Sequence, residues 1–309
     1  FTSFNYIADI KYAKALVQTK TEDSLNYVVK AINWNDNDDR FYRTSSQLAI
    51  GLLSEELNAK TTNDDTQKTS RIQDYLSSSV ALARRATEIA PLDSNNWINL
   101  GNIYQNLVQL VEDTDALAEA AYVKAYELRP GDPTIYNRIG SMYLLRAEFL
   151  RQARQSDTTV LAKAENYFKK AIDASNNYGL AIYNLGTVYE RQGKINDAIK
   201  QLERIAPFNS NQPGLAFELG LLYYRGNQKA KALEQLRRAV VLSPDYANAR
   251  WYLALIYEER NELEQAIEQL KAILNVEANK GNEMVIQKLD NLKAGKIGVP
   301  VDVIHQQPL

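Results

Sequence analysis

The sequence contains no cysteine and a single histidine, His305. Disulfides, thiolate metal sites and cysteine nucleophiles are therefore excluded, as is a metal centre built from several histidines. Proteins that face an oxidising compartment either pair their cysteines or lack them. The absence of cysteine therefore favours an extracytoplasmic location.

Glycine and proline are also scarce, with 13 and 8 residues in a chain of 309, which is low for a sheet-rich protein with many tight turns. No apolar run approaches the roughly 18 residues that a membrane span needs. Positive and negative charges nearly balance, with 36 Lys+Arg against 38 Asp+Glu. This balance argues against a general nucleic-acid-binding surface and against a polybasic membrane patch. A hydrophobic fraction of 45% indicates an ordered chain.

A period of 34 residues runs through the C-terminal half of the sequence. The segment Leu-Gly-x-x-Tyr begins at Leu185 and Leu219, and the related Leu-Ala-x-x-Tyr begins at Leu253. Small and large apolar residues follow in the same register: Ala198, Ala232 and Ala266, then Leu202, Leu236 and Leu270. A turn residue recurs between them as Gly193, Asn227 and Asn261. Glycine and asparagine tolerate the left-handed backbone of a tight helix–helix turn, so the period predicts stacked helical hairpins.

The same pattern extends upstream with insertions. One unit begins Trp97-x-x-Leu100-Gly101-x-x-Tyr104 and continues with Ala118, Tyr122, Ala125 and Pro130. Another begins Tyr136-x-x-Ile139-Gly140-x-x-Tyr143 and continues with Ala164, Phe168 and Ala171. These residues resemble the tetratricopeptide repeat, in which W-x2-L-G-x2-Y precedes A-x3-F and a proline. The resemblance covers about residues 5–280 and implies an all-α, right-handed superhelical solenoid.

A glycine in the middle of a helix costs about 1 kcal/mol relative to alanine, so a recurring one requires a structural reason. The repeats place such a glycine at Gly101, Gly140, Gly186 and Gly220. We expect the second helix of each hairpin to pass too close to these positions to leave room for a side chain.

The sequence divides into seven helical hairpins and a final capping helix. The hairpins are predicted at residues 5–36, 39–91, 94–130, 133–176, 179–210, 213–244 and 247–280. A helix over 282–294 is expected to cover the exposed apolar face of the last repeat, as a terminal repeat requires. Residues 1–294 are thus predicted to form one solenoid domain, followed by an extended tail at 295–309.

Hairpins two to four are longer than the 34-residue unit. The polar stretch 58–70 is predicted to be a loop within the second hairpin. The charged stretch 146–159 is expected to lengthen both helices of the fourth.

Motifs that carry catalysis or bind cofactors are missing from the sequence. There is no glycine-rich phosphate-binding loop, no zinc-protease helix motif and no nucleophile elbow. Residues 35–39 resemble the start of a calcium loop but lack its glycine and its final glutamate, and we interpret them as a capped turn. His305 is interpreted as a solvated residue of the tail. We therefore predict no enzyme activity, no metal and no cofactor.

The resemblance to tetratricopeptide repeats implies a concave groove lined by the first helix of each hairpin, where extended peptides or partner helices bind. Two residues after the tryptophan position of the pattern, this sequence has Asn99, Arg138, Asn184, Glu218 and Tyr252. Asparagine here resembles the residue with which some of these grooves grip a peptide backbone. Asn99, Arg138, Asn184 and Tyr252 are therefore candidate ligand-binding residues.

Three aromatic residues recur at 34-residue intervals one position earlier, as Tyr183, Phe217 and Trp251. We predict that they form an aromatic ladder on one wall of the groove, because aromatic and arginine side chains dominate interface energetics. The remaining candidates lie on the same helices: Tyr224, Tyr252, Arg191 and Arg225.

The alternative for these three aromatics is core packing. The usual aromatic position of the pattern holds Ile182, Ala216 and Arg250 instead, so the aromatics could take over its packing role one residue later. A shift of one residue rotates a side chain by about 100° around the helix, away from the core of its own hairpin. We therefore favour exposure in the groove.

The predicted function is a non-catalytic scaffold that binds a protein or peptide in the concave groove. Nucleic acid is not an expected partner, and these residues are not expected to insert into a membrane.

A second resemblance leads to an alternative function. Residues 34–47 resemble the start of the repeat regions that follow the transmembrane part of bacterial O-antigen ligase/polymerase-like proteins, and residues 6–32 resemble the preceding hairpin. This resemblance implies a regulatory or substrate-positioning appendage of a membrane-bound glycan enzyme. The chain would then lie on the extracytoplasmic side of the membrane, tethered by a segment outside this sequence.

Overall fold

The computed structural model describes residues 2–59 and 65–298, and all regular secondary structure within these ranges is helical. Consecutive helices pair as α1 (Thr2–Ala15) with α2 (Thr21–Ile32), α3 (Asp39–Asn58) with α4 (Asp65–Ile89), α5 (Ser94–Asn106) with α6 (Thr114–Leu128), α7 (Pro133–Gln152) with α8 (Thr158–Ala174), α9 (Gly179–Arg191) with α10 (Ile195–Ile205), α11 (Pro213–Arg225) with α12 (Lys229–Leu242), and α13 (Ala247–Glu259) with α14 (Leu263–Asn275). A final helix, α15, spans Glu283–Lys293. The all-α prediction is confirmed.

The chain forms two compact units that meet in the sequence between Ala181 and Ile182, so that α9 belongs to the second unit from Ile182 onward. In the first unit, every helix from α1 to α8 packs against its neighbours in the chain. In the second, the same holds from α10 to α15. Each unit is therefore a stack in which contacts are local in sequence, as in repeat proteins. The assignment of residues 1–294 to one solenoid domain stays a prediction.

The turns within the hairpins have the expected left-handed backbone. Gly193 has a φ of 73°, Asn227 a φ of 56° and Asn261 a φ of 59°. These residues close α9–α10, α11–α12 and α13–α14 respectively. The glycine or asparagine that recurs in the sequence therefore lies where each hairpin turn has a left-handed backbone.

Acidic residues cap several helices. Asp38, Asp93 and Asp132 each accept a hydrogen bond from the backbone N–H two residues later, at 3.0, 2.9 and 2.9 Å. A side chain that satisfies a free N–H at a helix start contributes about 1 kcal/mol. Because Asp38 caps α3, residues 35–39 are confirmed as a capped turn. No group of three potential metal ligands occurs anywhere in residues 2–59 or 65–298.

The four mid-helix glycines do meet the second helix of their hairpin. A Cβ atom on Gly101 would lie 2.6 Å from Tyr122 Cε1, and one on Gly140 would lie 2.7 Å from Phe168 Cδ1. Gly186 and Gly220 face Leu202 and Leu236 in the same way. The close approach expected from the repeat is confirmed, and it places a large apolar side chain of the second helix directly over each glycine.

Gly140→Leu and Gly186→Leu are therefore expected to destabilise the protein. Overpacking of a tight core typically costs about 1–3 kcal/mol, and these sites leave no room even for a methyl group. The midpoint of urea denaturation, followed by circular dichroism, measures the effect.

Gly214 offers a matched control, since it lies in α11 and a Cβ atom there would meet no atom within 4 Å. Gly214→Ala should raise stability slightly, by up to about 1 kcal/mol, through helix propensity alone. An unchanged midpoint for Gly140→Leu would mean that the packing register is wrong.

The insertions lengthen helices more than loops. The predicted extension of the fourth hairpin is confirmed, because α7 has 20 residues and α8 has 17. The predicted loop at 58–70 is too long, since α4 begins at Asp65, and residues 60–64 lie outside the described ranges. A polar stretch can be helical when its partner helix supplies ion pairs, as Glu56 of α3 does for Arg71 of α4 at 2.8 Å.

The predicted capping helix is confirmed as α15, which packs on α14 and buries Val285, Leu289 and Leu292. It also buries a charge, because Lys288 Nζ lies 2.6 Å from Glu258 Oε2 of α13, and their side chains are only 4% and 6% exposed. The backbone N–H of Gly298 donates to the other oxygen of Glu258 at 3.0 Å. Of the predicted tail, residues 299–309, including His305, lie outside the described ranges.

Candidate functional site

In the second unit, the first helices of successive hairpins, α9, α11 and α13, contact each other at a sequence separation of 35 residues. The hydroxyl of Tyr183 donates to Glu218 Oε1 at 2.7 Å, and the hydroxyl of Tyr224 donates to Glu259 Oε1 at 2.8 Å. Arg225 forms an ion pair with Glu190. A fourth contact at this separation joins the rings of Phe217 and Tyr252, whose centroids are 6.0 Å apart.

We call this surface the Tyr–Glu face: Tyr183, Glu190, Glu218, Tyr224, Arg225, Tyr252 and Glu259. Its geometry follows from the repeat, because the first helices of adjacent hairpins lie side by side. Residues that touch across two such helices are 35 positions apart, one more than the repeat period of 34. Positions seven residues apart, such as Tyr183 and Glu190, lie two turns apart on one side of a helix. The face therefore consists of two parallel rows of side-chain contacts.

The tyrosines of the face act as hydrogen-bond donors. Burial raises the pKa of Tyr183 and of Tyr224, and the hydrogen bonds to Glu218 and Glu259 raise them further. Both hydroxyls are therefore protonated at neutral pH, and each holds a carboxylate in a fixed position. Tyr252 packs edge-on against Tyr224, with ring centroids 5.6 Å apart.

The carboxylates of the face are not neutralised alike. Glu190 pairs with Arg225, and Glu259 pairs with Lys229 Nζ at 2.6 Å. Glu218 has the Tyr183 hydroxyl as its partner, and no lysine or arginine of the described residues pairs with it. Burial raises the pKa of Glu218 and the charge of Glu190 raises it further, whereas the Tyr183 hydrogen bond opposes both.

Two members of the predicted aromatic ladder are buried rather than exposed. Phe217 is 8% and Trp251 is 2% exposed, so the prediction of groove exposure is wrong for both, and core packing is the correct alternative. Phe217 packs against Tyr246 and Tyr252 of the following hairpin, at ring-centroid distances of 5.0 and 6.0 Å. This register position therefore faces the next repeat. Only Tyr183, which is half-buried, reaches the face through its hydroxyl.

Asn99 in the first unit is also not available to a ligand. It is 2% exposed, and its amide bonds to Ser46 Oγ at 2.8 Å and to Gln47 Nε2 at 2.9 Å. These bonds join α5 to α3, so the prediction that Asn99 grips a peptide backbone is wrong. Both the nitrogen and the oxygen of its amide are hydrogen-bonded to other side chains of the fold.

The other candidates lie at or near the surface. Arg138 of the first unit is exposed and donates to Asn102 Oδ1 at 3.2 Å. Asn184 is half-buried and Arg191 is exposed on α9, whereas Tyr224, Arg225 and Tyr252 belong to the Tyr–Glu face. Ligand binding by these residues stays a prediction.

The repeat pattern placed Glu218 at the groove position, but the carboxylates that complete the face, Glu190, Glu218 and Glu259, were not among the predicted site residues. Comparing residues 34 positions apart aligns equivalent positions of the repeat. It does not identify residues in contact, which are 35 positions apart. The signal that finds them is a separation of 35, because that spacing pairs a tyrosine or arginine with a glutamate three times.

No helix in the described part of the chain is both long and apolar enough to cross a membrane.

Models of the tetratricopeptide repeat family match residues 161–217 and 217–283. A 91-residue segment is 34% identical to the anaphase-promoting complex subunit CDC16 of Saccharomyces cerevisiae, covering 27% of this chain. The match spans only 9% of the length of that curated relative.

Solved structures with the same fold cover most of the chain. The C-terminal part of a TPR repeat-containing protein from Cytophaga hutchinsonii aligns with a TM-score of 0.67 and 15% identity, covering 93% of this chain and 99% of that one. YrrB, described as a TPR protein with an unusual peptide-binding site, aligns with a TM-score of 0.52 and 22% identity over 68% of this chain and 97% of its own. These likenesses establish the fold, and the predicted resemblance to tetratricopeptide repeats is confirmed. The resemblance to O-antigen ligase/polymerase-like proteins stays a prediction.

Proposed function

We propose that this chain, which contains tetratricopeptide repeats and has the fold of TPR solenoids, is a non-catalytic scaffold that binds an extended segment of a partner protein. A role in protein–protein interaction is what this fold supports in general. The finer proposal is that binding takes place on the Tyr–Glu face of the second unit.

The observation that carries the proposal is the regular spacing of polar and aromatic groups on that face. Two rows of tyrosine, glutamate and arginine side chains cross three successive first helices in steps of one repeat. An extended peptide also presents its groups at a regular spacing, so it can meet several members of a row at once. Tyrosine and arginine are the residue types that contribute most to binding energy at interfaces.

The proposal excludes a buried apolar anchor at Phe217 or Trp251, since both side chains are committed to the core. Specificity must therefore come from half-buried groups such as Tyr252 and from the carboxylates of the face. This is a polar interface, in which affinity depends on matching hydrogen bonds and charges rather than on area.

Tyr252→Ala is the test of this proposal. Peptides selected from a displayed random library for binding to the wild-type chain are synthesised with acetylated and amidated ends. Their dissociation constants are measured by isothermal titration. We expect Tyr252→Ala to weaken binding by about tenfold or more, because truncation of a central interface tyrosine typically costs upwards of 1 kcal/mol.

Val241→Ala is the matched control, because Val241 is 80% exposed on α12, the second helix of its hairpin. It should leave the dissociation constants unchanged. Thermal denaturation of all variants separates lost binding from lost folding. Selected peptides that bind Tyr252→Ala as tightly as the wild-type protein would contradict the proposed site.

A further inference from the structure

Glu218 is the carboxylate of the Tyr–Glu face that lacks a cation. It lies in the middle of α11, half-buried, with the Tyr183 hydroxyl on one oxygen. Its neighbours in the two rows differ, since Arg225 neutralises Glu190 and Lys229 neutralises Glu259. Burial raises the pKa of Glu218, and the negative charge of Glu190 raises it further.

Two tyrosines, Tyr183 and Tyr246, lie near this carboxylate. The hydroxyl of Tyr183 donates to Glu218, and burial raises the pKa of Tyr246, just before α13, with a further contribution from the charge of Glu218. Burial and the hydrogen bond to Glu218 raise the pKa of Tyr183, and the neighbouring Tyr246 adds a smaller contribution. Phe217, the residue before Glu218 in α11, is buried and packs against the Tyr246 ring at a centroid distance of 5.0 Å.

We infer that a lysine or arginine side chain of an extended partner peptide binds at Glu218, between Tyr183 and Tyr246; the inference rests on the proposed function. A charge-assisted hydrogen bond to a carboxylate is about twice as strong as a neutral one. A cation near an aromatic face is also attracted by the negative face of the ring. Glu218 and its tyrosines offer both interactions to one ammonium or guanidinium group.

The charge of the site selects against other partners. An acidic or phosphorylated peptide would bring its charge beside Glu218 and Glu190, and like charges at close range cost binding energy. A partly desolvated carboxylate without a cation is also unfavourable, so the partner's cation recovers energy that the free protein lacks. Both effects favour a basic segment.

The test uses acetylated, amidated, fluorescein-labelled peptides with one central residue fixed as lysine, arginine, glutamine or glutamate and with neutral random flanks. Fluorescence anisotropy at physiological ionic strength gives their affinities. For the wild-type chain we expect lysine and arginine peptides to bind about tenfold more tightly than glutamine peptides, and glutamate peptides to bind least, as expected for a desolvated charge pair.

Glu218→Gln keeps the shape and the polar contact but removes the charge, and should abolish the preference for basic peptides. Glu268→Gln, at an exposed position of α14, is the matched control and should keep it. Thermal denaturation confirms that each variant is folded.

Equal affinity for all four peptide sets, or a basic preference that survives Glu218→Gln, overturns the inference. If those peptides still lose affinity with Tyr252→Ala, the proposed function stands without the cation site. If no peptide of any set binds the wild-type chain, both the inference and the proposed function are overturned.

Discussion

Trp251→Ala is expected to lower the free energy of unfolding by about 3–5 kcal/mol, the range for deleting a large aromatic side chain from a core. Trp251 is among the largest fully buried side chains of the described residues, at 2% exposure. Its removal leaves a cavity between α13 and its neighbours that the helices can close only partly. Urea denaturation followed by circular dichroism measures the loss.

Trp251→Phe distinguishes lost volume from lost polarity. The indole Nε1 of Trp251 is buried and has no hydrogen-bond partner among the described residues. An unsatisfied buried donor is unfavourable, so phenylalanine removes a cost while it keeps much of the ring. We expect Trp251→Phe to be clearly more stable than Trp251→Ala. If the free energy of unfolding of Trp251→Ala lies within about 1 kcal/mol of the wild-type value, the assignment of Trp251 to the core is wrong.

Lys288→Met is expected to destabilise the protein by about 3–5 kcal/mol, because it strands a buried carboxylate. Glu258 would keep the Gly298 N–H as a partner but lose the ammonium group that lies 2.6 Å away. The double variant Lys288→Met/Glu258→Leu should recover much of this loss, since apolar side chains of similar volume often replace a buried ion pair at little cost. The free energy of unfolding in urea gives both values.

The surface pair Lys293–Asp290 on the same helix is the control. Its atoms are 3.8 Å apart and its side chains are 51% and 68% exposed. Lys293→Met should change stability by less than about 1 kcal/mol, as for most exposed ion pairs. If Lys288→Met is equally harmless, the buried pair does not hold α15 to α13.

These two residues show what the repeat pattern could and could not predict at the C-terminal end. The pattern predicts a capping helix, because the last repeat otherwise exposes an apolar face. It gives no reason to bury a lysine there. Lys288 and Glu258 are 30 positions apart, which matches neither the repeat period nor a helical turn, so only the packing of α15 brings them together.

The sequence by itself determined the fold, the turns and the sites of closest packing. Each hairpin is held by contacts between helices that are adjacent in the chain, so a motif of about 34 residues carries the information for its own core. The glycine at Gly140 and the large side chain at Phe168 are two halves of one such contact. Both lie within a single repeat, and the repetition of the pair identifies them without any coordinates.

The Tyr–Glu face was decided by tertiary structure, because it depends on the offset between neighbouring repeats. Tyr183, Phe217 and Trp251 occupy equivalent positions, yet only the first exposes a polar group on the face, since the next hairpin covers Phe217. The offset between repeats also decides which carboxylates of the face have a cation as partner. The sequence contains enough arginine and lysine for every glutamate of the face, but the one-residue offset directs Arg225 to Glu190 and leaves Glu218 without a cation.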